Sequence, residues 1–338
     1  MDKNTTEKTP NTMDYRHLGR SGLKVSAIGL GCMNFGDATD EPAAFTIMDA
    51  AIEAGINFFD TADVYGGPQK PDMEKGFGTS EEIVGNWLSK SGKRDDIVLA
   101  TKAYQPMGLG PNDRRLSAYH LKRACEASLR RLQTDHIDVY QMHHVDRFTP
   151  VEEIWQAMEQ LISEGKITYV GSSNFAGWDV ATSQLTAQHR GSLGLVSEQS
   201  LYNLTNRAIE QELIPALEHF GIGLIPWSPL AMGVLAGRPA TNEKTVRRAL
   251  QSEVYEAHGA QLDEYEQLCA KLGLSPAEVA QAWLLHQPVV SSVIAGVRTV
   301  EQLQSSLNSL SIKLDAETLA ELDRIWPGPG QAPQSYAW

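Results

Sequence analysis

Cysteine is scarce in this sequence. Cys32, Cys125 and Cys269 are the only three among 338 residues. They are too few and too scattered for a disulfide framework or a structural zinc site, and they suit a reducing, cytoplasmic setting. Basic charge is in deficit: 29 Lys and Arg against 42 Asp and Glu give a formal charge of −13. Such a surface repels phosphate backbones, so nucleic acid is not an expected partner. A small anionic cofactor is compatible with it, because a few local Arg residues can hold one. Long apolar runs are missing too. The longest stretches free of Asp, Glu, Lys and Arg, 219–237 and 279–297, have 19 residues each, which approaches membrane-spanning length. Pro226, Pro229 and four glycines break the first, and His286-Gln287-Pro288 breaks the second, so each reads as two shorter elements and no membrane is expected. Residues 1–13 are polar, lack the apolar stretch of a signal peptide, and read as a disordered tail ahead of a single domain over 14–338. No G-x-x-x-x-G-K-[ST], G-x-S-x-G or H-E-x-x-H pattern occurs, which argues against P-loop, serine-hydrolase and zinc-protease chemistry.

What is present is an alternation. Short runs rich in Val, Ile, Leu and Phe fall near 27–30, 57–59, 97–101, 137–142, 167–171, 195–198, 223–226 and 292–295. Between them apolar residues recur three and four apart, as in Ala43, Ala44, Ile47, Met48, Ala51 and Ile52, or Leu121, Ala124, Cys125, Leu129 and Leu132. Gly55, Gly165, Gly221 and Gly273 follow the last periodic residue of four such segments, where a left-handed helix cap is wanted. Eight strands, each followed by a helix, predict an α/β fold: a closed (β/α)8 TIM barrel. An open doubly wound sheet is the alternative, but Gly29-Leu30-Gly31-Cys32-Met33-Asn34 supplies only two of the three glycines of its phosphate turn. Ahead of the first strand, 15–25 reads as a β-hairpin around Arg20-Ser21-Gly22 that covers the N-terminal mouth. Long connections at 66–79, 103–117 and 227 to about 259 follow strands and would crown the C-terminal face. The tail after Trp326 either folds over that mouth or hangs loose.

The predicted strands end in polar residues: Asp60, Lys102, His143, Ser172-Ser173-Asn174, Gln199 and Trp227-Ser228. In a parallel barrel these positions face a common mouth. Any one of them could be an ion pair stitching the rim; together they mark a candidate active site. Tyr65 lies five residues beyond Asp60. A phenol ionises near pH 10, and a neighbouring Lys⁺ held by a carboxylate would lower that value. A drop toward about 7 corresponds to about 4 kcal/mol. Tyr65 would then protonate a developing alkoxide, with His143 bonded to the same oxygen, and a cofactor must supply the electrons. No metal is expected. Adjacent His143 and His144 on a strand would point to opposite faces, and Lys102 would crowd a cation.

These residues resemble the aldo-keto reductase superfamily of NAD(P)H-dependent carbonyl reductases, over most of the chain. Phe58-Phe59-Asp60-Thr61-Ala62-Asp63-Val64-Tyr65-Gly66 resembles the block carrying the family's catalytic Asp and Tyr. Leu99-Ala100-Thr101-Lys102 resembles the strand with its Lys, and Asp138-Val139-Tyr140-Gln141-Met142-His143 the strand ending in its His. The resemblance implies cofactor contacts from Gly31, Met33, Asp60, Ser173, Asn174 and Gln199, with Ser173, Asn174 and Gln199 on the carboxamide and Trp227 stacked on the nicotinamide. It implies a pyrophosphate loop of Ser228, Pro229, Leu230, Gly233, Leu235 and Arg238, with backbone N–H groups near Gly233 and Leu235 on the phosphates. The adenosine end falls on Gly296, Arg298 and Gln302, and Arg298 favours NADPH over NADH by meeting a 2′-phosphate. Ser305 and Ser306 stand where the family often has Glu and Asn, and the segment 68–78 is an insert, either a lid or a surface loop. The blocks at 135–147, 196–204 and 226–230 look most like bacterial reductases of deoxysugar pathways that act on keto-sugars. The implied function is hydride transfer to an aldehyde or ketone, with a small carbonyl compound as partner and a homo-oligomer left open. The superfamily's potassium-channel β-subunits offer the alternative of a cofactor-binding regulatory subunit with little turnover.

Overall fold

The computed structural model describes residues 13–70, 73–237 and 246–337, with only the backbone course given for 246–254. The hairpin is present: β1 (Tyr15–His17) pairs antiparallel with β2 (Lys24–Ser26), Arg16 opposite Val25. Eight parallel strands follow. They are β3 (Ile28–Gly31), β4 (Phe58–Asp60), β5 (Val98–Ala103), β6 (Ile137–Met142), β7 (Ile167–Ser173), β8 (Leu195–Leu201), β9 (Gly223–Trp227) and β10 (Val293–Ala295). Their spatial order is β10-β3-β4-β5-β6-β7-β8-β9. Leu224 of β9 nearly closes the ring by donating to Val289 O (2.8 Å) and accepting from Ser291 N (2.9 Å), just ahead of β10. This is the TIM barrel, and each expected strand lies within a few residues of its apolar run.

The outer layer comprises α1 (Glu41–Glu53), α2 (Thr79–Ser91), α3 (Ala118–Leu132), α4 (Val151–Ser163), α5 (Gly177–His189), α6 (Leu213–Phe220), α7 (Val246–Leu272), α8 (Pro276–Leu285), α9 (Val300–Asn308) and α10 (Ala316–Ile325). Their apolar stripes bury Ile47, Trp87, Leu121, Trp155, Leu217 and Trp283 against the outside of the strands. A separate cluster of Phe58, Val98, Ala100, Val139, Ile225 and Ile294 fills the barrel interior and is plugged from below by Leu18 and Val25 of the hairpin. Gly19 makes that plug fit. A Cβ there would lie 2.5 Å from Val196 O and 2.7 Å from Gly221 O, and its φ is +57°, so only glycine is accommodated.

Two features depart from expectation. The segment 227 to about 259 is not one long loop. A short helical turn spans Ala231–Ala236 and α7 begins at Val246, bending at His258 (φ −127°). The register between β7 and β8 also jumps, Val170 pairing with Leu195 and Gly171 with Ser197. Val196 is therefore an extra residue, a β-bulge, which resets which faces the following side chains take. Residues 1–12 of the expected tail lie outside the described residues. Met13 is half-buried against the core.

Candidate active site

The barrel interior changes character toward its C-terminal end. With a period of two, Phe58 is followed on its face by Asp60, Ala100 by Lys102, and Val139 by Gln141 and then His143. Lys102 is fully buried and donates to Asp60 Oδ2 (2.6 Å), Thr61 O (2.9 Å) and the Tyr65 hydroxyl (3.4 Å). Tyr65 reaches the ammonium because the chain turns tightly past β4, Tyr65 N donating to Ala62 O (3.2 Å). Gly66 then doubles back under α2. A Cβ on Gly66 would sit 2.5 Å from Thr79 Cβ, and its φ is +115°. The Tyr65 hydroxyl also lies 3.3 Å from His143 Nε2. The four residues expected together are together.

Asp60 has two further partners. Gln141 Nε2 and Gln199 Nε2 each donate to Oδ1 at 2.9 Å. Sequence reasoning assigned no role to Gln141, although its place two residues before His143 on one strand face was a usable signal. The Gln199 amide nitrogen, expected on a carboxamide, here serves the carboxylate, and the Val196 bulge is what turns Gln199 inward.

Burial dominates the protonation states. It pushes the Tyr65 phenol above its ordinary value, with Lys102 pulling the other way and Asp60 adding to the rise. The expectation of a lowered phenol is thereby overturned: full desolvation outweighs one ammonium. Burial would lower Lys102, but Asp60 and Tyr65 together raise it. Burial, Lys102 and His144 hold His143 well below the usual imidazole range, so its ring is neutral. Its Nδ1 is buried with no hydrogen-bond partner among the described residues. A buried N–H left unpaired costs more than an unpaired lone pair, which assigns the proton to Nε2. The His143 and His144 rings stack 5.3 Å apart at 13°. They do not point to opposite faces, because β6 has already ended at Met142. Among the described residues no three His, Cys, Asp or Glu are grouped to hold a metal.

The rim residues interlock. Asn174, with a left-handed φ of +59°, donates to His143 O (3.1 Å) and Ser173 Oγ (3.0 Å) and accepts from Trp227 Nε1 (3.1 Å). Ser173 donates to Gln199 O (2.7 Å). Past β9, Ser228, Ala231, Met232 and Gly233 all have positive φ. Ser228 Oγ accepts from Met232 N (3.1 Å), and Pro229 and Leu230 lead into the turn. The N–H groups of Gly233 and Leu235, expected on phosphates, instead donate to Leu230 O at 2.8 and 3.1 Å and shape the loop. Arg238 lies outside the described residues.

Gly31 and Met33, at the end of β3, neighbour the β10 end, where Ala295 pairs with Leu30 and Asn34 Nδ2 donates to Gly296 O (3.1 Å). A Cβ on Gly296 would meet nothing closer than Asn34 Nδ2 at 3.8 Å, so its backbone borders open space. Arg298 is exposed, and its guanidinium hydrogen-bonds to none of the described residues, while its N–H is held by Gln302 Oε1 (2.8 Å). An open glycine backbone, a free guanidinium and a half-exposed indole beside a polar amide cluster fit a nicotinamide dinucleotide. Ser306 does not substitute for a lost adenine contact, since its hydroxyl bonds Gln302 O (3.2 Å). The insert is anchored on both sides, Gly76 N to Pro106 O (2.6 Å) and Phe77 N to Val64 O (3.2 Å), with Met73 packed near Tyr65. The C-terminal tail binds the segment past β8 through Ala332 N to Gln211 O (2.9 Å). No described helix is long and apolar enough to cross a membrane.

Known proteins share this plan. The Aldo/keto reductase family model matches residues 27–327. The chain is 48% identical to the uncharacterized oxidoreductase YrpG of Bacillus subtilis, covering 96% of this chain and 100% of the relative. It is 34% identical to a probable voltage-gated potassium channel subunit beta of Oryza sativa subsp. japonica, over 96% and 100% of the two chains. It is 35% identical to the versiconal hemiacetal acetate reductase of Aspergillus parasiticus, over 92% and 96%. The match begins at the first barrel strand and runs past the last long helix, and on that span the chain belongs to the aldo/keto reductase family of oxidoreductases.

Proposed function

We propose that this protein is a cytoplasmic, NADPH-dependent carbonyl reductase acting on a small aldehyde or ketone, keto-sugars among them. The observation that carries the reading is the environment of one oxygen. The Tyr65 hydroxyl has Lys102 Nζ at 3.4 Å and His143 Nε2 at 3.3 Å, with Lys102 in turn on Asp60 at 2.6 Å. A phenol oxygen has two lone pairs and one hydrogen. Two N–H donors fill the lone pairs, so the hydrogen is left free for a further acceptor. Tyr65 is thus set to give its proton to a carbonyl oxygen as charge builds there. The same two donors then stabilise the phenolate. His143, neutral with its single proton on Nε2, would orient the carbonyl oxygen by sharing that N–H between it and the Tyr65 oxygen.

When bound, a reduced nicotinamide would supply the hydride. Trp227, Ser173, Asn174 and Gln199 would hold that end of the cofactor, the Ser228–Leu235 turn the pyrophosphate through groups other than the Gly233 and Leu235 N–H, and Gly31, Met33, Gly296, Arg298 and Gln302 the adenosine end. The exposed Arg298 guanidinium, bonded to none of the described residues, supports NADPH over NADH through the 2′-phosphate. Substituting Tyr65→Phe should lower turnover of a panel of aldehydes and ketones by two or more orders of magnitude while NADPH still binds. Near-wild-type turnover in that variant would refute the assignment. A cofactor-holding regulatory subunit would instead show tight NADPH binding and negligible oxidation with every carbonyl in the panel.

A further inference from the structure

β8 carries a buried carboxylate that the reaction above does not use. The Val196 bulge turns Gln199 into the barrel and leaves Glu198 on the helix-facing side, fully buried. Its Oε1 accepts from Ser200 Oγ (2.6 Å) and Phe175 N (3.1 Å), and its Oε2 accepts from Ser172 Oγ. Phe175 directly follows Asn174, whose backbone is left-handed (φ +59°), a conformation that asparagine adopts more readily than most residues. Asn174 is the hub that ties His143 O, Ser173 Oγ and Trp227 Nε1 together. The carboxylate therefore grips the chain one residue beyond the hub.

We propose that Glu198 is a positioning residue for the nicotinamide end of the cofactor: its ionised carboxylate pins the Asn174–Phe175 turn, so NADPH binds the ionised form more tightly than the protonated one. The proposal rests on the carbonyl-reductase reading. Burial pushes the Glu198 carboxyl up to about 7, against the pull of the Ser172, Ser200 and Phe175 donors, so both forms are populated near neutral pH. On protonation a serine hydroxyl can rotate and become the acceptor. The Phe175 N–H cannot, and it is left with a neutral oxygen, an acceptor roughly half as strong. Other charges nearby do not explain a titration there. β9 has no ionisable side chain and β7 has only Tyr169. Asp179 at the start of α5 is bound by Arg147 (2.6 Å), and Glu210 by Arg207 (2.7 Å). Glu212, Glu218 and His219 on and before α6 are exposed.

The experiment is NADPH binding to the full-length protein between pH 6 and 8.5, followed by quenching of protein fluorescence. It compares wild type, Glu198→Gln and Ser200→Ala, so that titration of the cofactor's own 2′-phosphate cancels between proteins. At pH 8 Glu198→Gln should bind about fivefold to tenfold more weakly than wild type, and the gap should close to about twofold or less at pH 6. Ser200→Ala removes a donor to the ionised form. It should shift the wild-type midpoint upward, binding more weakly near pH 7.5 but equally at pH 6. A Glu198→Gln to wild-type ratio that stays constant with pH overturns the proposal. If Glu198→Gln does not fold, a Ser200→Ala to wild-type ratio that stays constant does so alone. Absence of any dinucleotide binding in the wild type overturns the carbonyl-reductase reading itself, and this proposal with it.

Discussion

The Lys102–Asp60 pair can be tested as a unit. Its side chains are 0% and 4% exposed and 2.6 Å apart. Removing one partner of such a pair leaves an uncompensated charge in a dry site, at about 3–5 kcal/mol. Lys102→Met strands the Asp60 carboxylate with only the two amide donors from Gln141 and Gln199. Asp60→Asn strands the ammonium, whose proton Asp60 otherwise helps retain. The double variant strands neither, and the Asn oxygen can still accept from both glutamines. It should therefore lose only about 1–2 kcal/mol, far less than the sum of the single losses. Urea unfolding of the four proteins at pH 7 gives the coupling energy, expected at roughly 3 kcal/mol or more. Additivity within about 0.5 kcal/mol would show that the two groups do not sense each other, and the description of the site would fail at its centre.

Arg298→Ala should weaken NADPH binding by about tenfold to a hundredfold, the range expected for losing hydrogen bonds to a charged group, and leave NADH unaffected; equal losses for both would remove Arg298 from the 2′-phosphate. Gly85→Ala should cost about 1–3 kcal/mol of stability and so lower the urea midpoint, because its Cβ would lie 2.1 Å from Arg131 O on α3; an unchanged midpoint would contradict the close approach of α2 and α3. At saturating NADPH, kcat/KM for carbonyl reduction should hold level from pH 6 past pH 9. It should fall only as the phenol ionises above its ordinary value of about 10, since a general acid works while protonated and burial raises Tyr65. An alkaline limb near pH 7 would refute that ordering.

The barrel was legible because its strands are buried on both faces and so appear as unbroken apolar runs. Asp60, Lys102 and His143 were legible because each ends such a run with a group that no helix face could explain. Other features were not. Nothing in Leu195 to Gln199 distinguishes a bulge from regular alternation, yet Val196 decides that Gln199 faces the barrel and Glu198 the helices. The start of α7 was hidden by a polar, weakly patterned segment ending in Gly259. The loop N–H groups of Gly233 and Leu235 were assigned to a ligand, but four positive-φ residues at Ser228, Ala231, Met232 and Gly233 fold the turn so that both reach Leu230 O. Backbone conformation of that kind has no signature in side-chain pattern.

The phenol shows why the sign of one neighbour was insufficient. Lys102 does favour the phenolate, as its charge requires, but the cost of burying the phenolate is larger and Asp60 adds to it. A lowered resting value is also unnecessary for the chemistry. In the proposed reaction the proton would move from a phenol to an alkoxide, and an alcohol is a far weaker acid than a phenol, so the transfer would run downhill even when Tyr65 holds its proton firmly. On that proposal the site must supply stabilisation of the phenolate once it forms, and this is where the ammonium at 3.4 Å and the Nε2–H at 3.3 Å would act. Their contribution is realised in the transition state and not in the resting enzyme. Loss of Lys102 should accordingly appear in kcat, with the carbonyl's KM little changed, because the group being stabilised does not exist until the proton has begun to leave.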